Sequence, residues 1–159
     1  MTEKYNLKGG CTCGKVKYSI SEKPLFTQAC HCVDCKISTG SSYVIHTTIL
    51  DKTLSVDGKV ASTVLPTGSG KGYRAYFCIE CGVYLYCKYY IGPGRLNVRT
   101  KTLEDPSKFP PQVHIFTKDK DPWLNLSDKE KCFETAYDRD KTWPKESIKR
   151  YNEHLNKIK

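Results

Sequence analysis

The chain has no run approaching the ~18 apolar residues of a membrane-spanning helix. The stretch Met1 to Gly10 holds no apolar core of a secretory signal. Both absences lead to the expectation of a cytoplasmic or nuclear setting away from membranes. Internal repeats, low-complexity tracts and long linkers are also missing, so the 159 residues are expected to form a single zinc-binding domain spanning 1–159. That length can bury a core of its own without crosslinks. A block of one charge is missing too. The formal charge is +9, but the basic residues are spread along the chain, and residues 141–159 are only mildly basic. Such a surface suits an anionic small molecule. It carries no nucleic-acid motif, and nucleic acid is not the expected partner.

Cysteine, in contrast, is abundant. Nine is an odd number, whereas a secreted disulfide scaffold normally has an even count. In a reducing compartment this richness points to metal binding or catalysis. Seven cysteines fall into three short clusters: Cys11 and Cys13, then Cys30, Cys32 and Cys35, then Cys78 and Cys81. Seven ligands fill one closed tetrahedral zinc site and one open site of three. The C-x-x-C of Cys78-Ile79-Glu80-Cys81 is followed by Gly82, whose conformational freedom lets the turn aim both sulfurs at one point. The C-x-C of Cys11-Thr12-Cys13 is flanked by Gly10 and Gly14 and reads as a similar turn. Pairing these two knuckles leaves Cys30, Cys32 and Cys35, on one tight loop, for a zinc with a vacant position.

A second partition remains open at this point. Cys30, Cys32 and Cys35 would then form the closed site with one further ligand. His31 lies between two of them and is poorly placed for the same ion, which leaves His46 and His114 as candidates. A lone histidine on a strand is more often a structural residue than a ligand. Cys87 and Cys132 stand alone and read as buried small hydrophobes or idle thiols.

Residues 1–103 read as β. Lys15 to Ile20, Ser42 to Ile49, Tyr73 to Phe77, Val83 to Tyr90, Leu96 to Leu103 and Val113 to Thr117 alternate or are rich in β-branched and aromatic residues. Asp57-Gly58, between Leu54 and Ala61, predicts a β-hairpin. Ser127 to Glu130 has the form of a capping box and predicts the start of a short helix. Pro144 suits a first helical turn. Ile148, Tyr151, Leu155 and Ile158 then recur at helical spacing, predicting one amphipathic C-terminal helix.

In this order the motifs resemble the family of glutathione-dependent formaldehyde-activating enzymes and centromere protein V. The matching stretches are Gly10-Cys-Thr-Cys-Gly-Lys-Val-Lys-Tyr18, Cys30-His-Cys-Val-Asp-Cys35 with Gly40 just after, Phe77-Cys-Ile-Glu-Cys-Gly82, and Val113-His-Ile-Phe116 with Trp123 downstream. They run from about residue 9 to 124, which leaves a C-terminal helical extension over about 127–159. The resemblance implies the β-tent fold, a mainly β zinc fold of coiled antiparallel sheets, here with a C-terminal amphipathic helix. It also implies two zinc ions per chain. Cys11, Cys13, Cys78 and Cys81 would hold the structural ion, and Cys30, Cys32 and Cys35 the second, exchangeable and catalytic one.

The implied activity joins glutathione to formaldehyde and is classed with the carbon–sulfur lyases. A coordinated thiol is deprotonated, so an open zinc would deliver a thiolate at neutral pH. Lys36, Lys71 and Arg74 are candidates to receive glutathione carboxylates. Two alternatives accompany this reading. One is a non-enzymatic zinc module that binds glutathione, a protein partner or chromatin. The other is a lyase acting on a different thiol adduct.

Overall fold

The computed structural model describes residues 4–66 and 71–159; of the Met1 to Gly10 stretch, residues 1–3 lie outside that range. The chain is mainly β, with two sheets and a C-terminal helix. The smaller sheet holds β1 (Leu7–Gly10), β2 (Lys17–Ile20) and β5 (Leu54–Asp57), in the order β1-β2-β5. The larger holds β3 (Phe26–Cys30), β4 (Val44–Leu50), β6 (Val60–Leu65), β7 (Tyr73–Cys78), β8 (Tyr84–Tyr89), β9 (Arg95–Arg99) and β10 (Val113–Ile115). Its order is β10-β3-β4-β9-β8-β7-β6. The pairings are antiparallel except for β10, which lies parallel to β3 at the edge.

The alternating residues of each strand divide between faces, as the pleat requires. Tyr18 and Ile20 of the smaller sheet, with Val16 just before β2, meet Ile49, Leu85, Leu96 and Val98 of the larger one in a common core. On the β3–β4 side of the larger sheet, Phe26, Leu50 and Val113 form a second core with Trp143 and Tyr151. Tyr151 belongs to α3 (Lys145–Ile158), the predicted C-terminal helix. Ile148 and Leu155 pack beside it, while Ile158, at the helix end, is about half exposed. The Tyr151 hydroxyl donates to the Pro93 carbonyl at 2.7 Å, and Ser147 donates to the Leu25 carbonyl at 2.6 Å, so the helix is anchored through polar as well as apolar contacts. Among the described residues, no helix is long and apolar enough to cross a membrane.

Three local expectations are corrected. Asp57-Gly58 does not close a hairpin: β5 pairs with β2, whereas β6 pairs with β7 in the other sheet. The turn passes the chain between sheets. Gly58 has φ +106°, and a Cβ there would lie 2.2 Å from the Lys15 carbonyl oxygen. Its positive φ therefore serves a close crossing rather than a two-residue hairpin. The capping box also closes without starting a helix. Glu130 accepts from the Ser127 amide at 2.7 Å, and Ser127 Oγ accepts from the Lys129 amide at 3.3 Å, but the chain only turns there. Finally, the Cys30 to Cys35 stretch is not all loop. It opens the helix α1 (Val33–Thr39). A further short helix, α2 (Arg139–Thr142), precedes α3.

Candidate metal centres and the adjoining cleft

Seven of the nine cysteines gather into the two groups expected from spacing. The sulfurs of Cys11, Cys13, Cys78 and Cys81 lie within 4.8 Å of one another, as do those of Cys30, Cys32 and Cys35. Neither His46 nor His114 joins either group, which removes the partition that gave the three-cysteine set a histidine.

The four-cysteine group is built from two matching turns. Cys11 follows β1, and its amide donates to the Val16 carbonyl at 3.0 Å. Cys78 ends β7, and its amide donates to the Val83 carbonyl, also at 3.0 Å. Gly14 and Gly82 take φ of +74° and +70° and fold each turn back on its first cysteine. Cys11 Sγ stands 3.5 Å from Cys13 Sγ, and Cys13 Sγ stands 3.7 Å from Cys78 Sγ. Sulfurs around a tetrahedral zinc are about 3.8 Å apart, given Zn–S bonds of about 2.3 Å. A disulfide needs about 2.05 Å. The spacing therefore fits a four-thiolate metal site and not a crosslink, and all nine cysteines are free. Because Cys11 leaves the smaller sheet and Cys78 the larger, a metal here would tie the two sheets together.

The three-cysteine group is more deeply set. Cys30 is the last residue of β3, and Cys30 and Cys35 are buried in the second core. Cys32 is the N-cap of α1: its sulfur accepts from the Cys35 amide at 3.4 Å, as a serine oxygen does at other helix starts. One helical turn thus brings Cys35 back over Cys32. Gly40 ends the helix with φ +65°, its amide donating to the Lys36 carbonyl at 2.8 Å.

Without a cation the group holds one negative charge. The Cys30 and Cys35 thiols, helped by the Cys35 and Asp34 amides, pull Cys32 down to about 2. Cys30 is pushed far up by its bonds to Cys32 and Cys35 and by burial. At Cys35 the Cys30 thiol favours the thiolate, but Cys32 and burial outweigh it and push the group up to about 12. All three could be thiolates together only around a cation, and an all-sulfur donor set suits zinc.

His46 stands behind Cys35, with Nε2 3.6 Å from Cys35 Sγ. On its other side Arg99 Nη1 lies 3.3 Å from Nε2 and 3.5 Å from Nδ1. Burial, then the Arg99 charge, drives His46 well below the usual imidazole range, so the ring is neutral. Arginine only donates and a metal-bound thiolate only accepts. With Cys35 beside Nε2, the hydrogen is therefore assigned to Nε2, and Nδ1 accepts from Arg99. His31 turns away from the sulfurs. Its Nε2 is 2.9 Å from His114 Nδ1, and His114 Nε2 faces Glu130 at 3.3 Å. The Tyr43 ring lies tilted against His31 at 5.0 Å and edge-on to His114 at 6.0 Å. Neither histidine joins a cysteine group, and His31 Nδ1 is buried without a hydrogen-bond partner. Cys87 is fully buried and Cys132 exposed, and neither belongs to a cysteine group.

Two clefts open on the surface, and neither is lined by Cys30, Cys32 or Cys35. The larger, about 760 Å³, runs along β1 and β2 beside Cys11 and does not reach the three-cysteine group. The smaller, about 640 Å³, lies between the end of α1, the Gly82 turn and β9, and Arg99 forms part of its wall. Of the three cations expected to receive carboxylates, none lines it. Lys36 is engaged instead by Asp121 at 2.8 Å, and Arg74 donates to Ser62 at 3.0 Å. Arg99 was not singled out in the sequence; the available signal was an arginine at the end of the otherwise apolar alternation of Leu96 and Val98.

The comparisons with known proteins agree with the motif order. The family model described as glutathione-dependent formaldehyde-activating enzyme matches residues 6–119. A crystal structure of a Rhodobacter sphaeroides protein is 25% identical, covers 61% of this chain and 87% of its own, and superposes with a TM-score of 0.49. No curated protein matches the chain.

Proposed function

Because the chain belongs to the glutathione-dependent formaldehyde-activating enzyme family, we propose that it is a zinc-dependent, carbon–sulfur lyase-like enzyme joining glutathione, or a related thiol, to formaldehyde or another small aldehyde. The observation that carries this reading is the convergence of three sulfurs, rather than four, at Cys30, Cys32 and Cys35. Three protein ligands are the pattern of a catalytic zinc, and four that of a structural one.

Zinc bound by these three cysteines would supply a vacant position that lowers a thiol's pKa, so that the thiolate is present at neutral pH. The protein's part is to hold and orient. The Cys35 amide, at the start of α1, fixes the Cys32 sulfur. His46 donates from Nε2 to Cys35 Sγ and is itself held by Arg99. Such support behind a ligand fixes its direction and tunes its donor strength. The substrate sulfur then attacks the aldehyde carbon: a C–S bond forms, the C=O pair moves to oxygen, and that oxygen takes a proton while the thiol gives one up. Cys11, Cys13, Cys78 and Cys81 would hold a second zinc with no chemical step of its own.

The test is Cys35→Ser, compared with the parent protein for metal content and for thiol–formaldehyde addition above the spontaneous rate. The expected result is a fall from two zinc ions to one and loss of the enzymatic rate, with the four-cysteine site still loaded. Parental turnover in the variant would refute the reading.

A further inference from the structure

Arg99 is a buried cation without a counter-ion of its own. It is 6% exposed, and no carboxylate pairs with it among the described residues. Its Nη1 is engaged by His46, and its guanidinium face lies 3.8 Å over the Tyr84 ring. Its Nε, fully buried, has no hydrogen-bond partner. An ionised group in this position costs stability unless something compensates it. Function is the usual reason that such a cost is kept.

Arg99 forms part of the wall of the 640 Å³ cleft, and Lys101, two residues on, stands exposed at the same cleft. The other polar lining is hydroxyl, including Ser38, Ser42 and Tyr43, and no lining residue is acidic. A cleft with two cations, several hydroxyl donors and no carboxylate is complementary to an anion. A planar guanidinium suits a carboxylate in particular, because the two nitrogens of its fork match the two oxygens.

We propose that this cleft is a carboxylate site, in which Arg99, with Lys101 at the mouth, receives a carboxylate of the thiol substrate. This rests on the thiol–aldehyde reading, and it makes Arg99 a specificity residue: the cleft selects carboxylate-bearing thiols over neutral ones. The cations expected earlier, Lys36, Lys71 and Arg74, are not needed for this.

The experiment is calorimetric titration of S-methylglutathione into the metal-loaded full chain. This probe keeps both carboxylates and has no thiol. Saturable binding is expected, weaker by about 10- to 100-fold for the diethyl ester, the worth of hydrogen bonds to a charged group. Arg99→Met is expected to weaken binding of the acid to the level of the ester, and the exposed Lys101→Glu to weaken it less. Absence of binding, or equal affinity for acid and ester, overturns the proposal; the ester comparison decides even if Arg99→Met fails to fold. Turnover separates the two readings. If S-methylglutathione binds through Arg99 but the chain accelerates no thiol addition to formaldehyde, the enzymatic reading fails and the carboxylate site stands. If glutathione diethyl ester turns over as well as glutathione, the carboxylate site fails and the enzymatic reading stands.

Discussion

Arg99 and His46 stand directly opposite one another where β9 pairs with β4, and the guanidinium comes within 3.3 Å of the imidazole. Register alone places a permanent cation behind the histidine that supports Cys35. One strand pairing thereby joins the cleft wall to the three-cysteine group. Replacing the middle member should loosen the ligand it supports. His46→Ala is expected to lower zinc affinity at the three-cysteine site by about 10- to 100-fold, the usual effect of losing a group behind a ligand. Chelator competition measures this, and the four-cysteine site should hold its metal unchanged. Equal retention at both sites would show that His46 only fills space.

Cys81→Ser should act on the whole fold. Structural zinc contributes about 10–16 kcal/mol in small domains, comparable to the entire ~5–15 kcal/mol stability of a native protein. The cysteines concerned join the end of β1 to the end of β7. The expected outcome is loss of cooperative thermal unfolding together with loss of zinc. A parental melting curve would mean that the sheets hold together without the metal.

Gly58→Ala tests the crossing between sheets. The added methyl would meet the Lys15 carbonyl oxygen at 2.2 Å in a backbone conformation that disfavours L side chains. A cost of about 2 kcal/mol or more is expected, read as a lower urea midpoint. A neutral result would require the β5–β6 connection to shift freely.

Tyr151 anchors the C-terminal helix by its ring and by its hydroxyl. Tyr151→Phe removes the bond to Pro93 and should cost about 1 kcal/mol. Tyr151→Ala also empties its place beside Trp143 and should cost about 3–5 kcal/mol. Chemical denaturation of both variants separates the two contributions, and equal losses would contradict this division.

Glu22 links α3 to the turn before β3, pairing with Lys52 at 2.8 Å and with Arg150 at 3.2 Å. Lys52, then Arg150, hold its carboxyl below the usual range. A lowered folded-state pKa stabilises above the unfolded-state value and is lost as pH falls through the folded one. Glu22→Gln should therefore cost most at neutral pH and nothing in strong acid. The side chain is 38% exposed, so screening limits the effect to below about 1 kcal/mol. A difference that persists at low pH would assign the loss to packing instead.

The cysteine clusters were legible because their short spacings and flanking glycines stand out from the rest of the chain. Cys11, Cys13, Cys78 and Cys81 converge as their turns implied. The long strands and α3 were legible because one face of each is buried. Other features depend on partners that local pattern does not name. Asp57-Gly58 has the chemistry of a hairpin, yet the competition for β6 is won by β7. The capping box forms its hydrogen bonds, but Lys131, Phe133 and Thr135 bond to the backbone of His114 and Phe116 instead, so no helix follows. The helix in the cysteine stretch was missed because Cys32 acts as its cap. Arg99 gains its place only from the strand opposite it and from a cleft whose walls come from distant parts of the chain.

The two cysteine groups also differ in how much of the chain each must wait for. Cys13 and Cys78 are 65 positions apart, so the first group comes together only once both sheets have formed. The second group is complete between Cys30 and Cys35, and a flexible chain can wrap those six residues around an ion at any time. Metal held there is compatible with an unfolded polypeptide, whereas metal held by the first group reports a finished one. During synthesis an ion held by Cys30, Cys32 and Cys35 would therefore be captured before one held by the four-cysteine group.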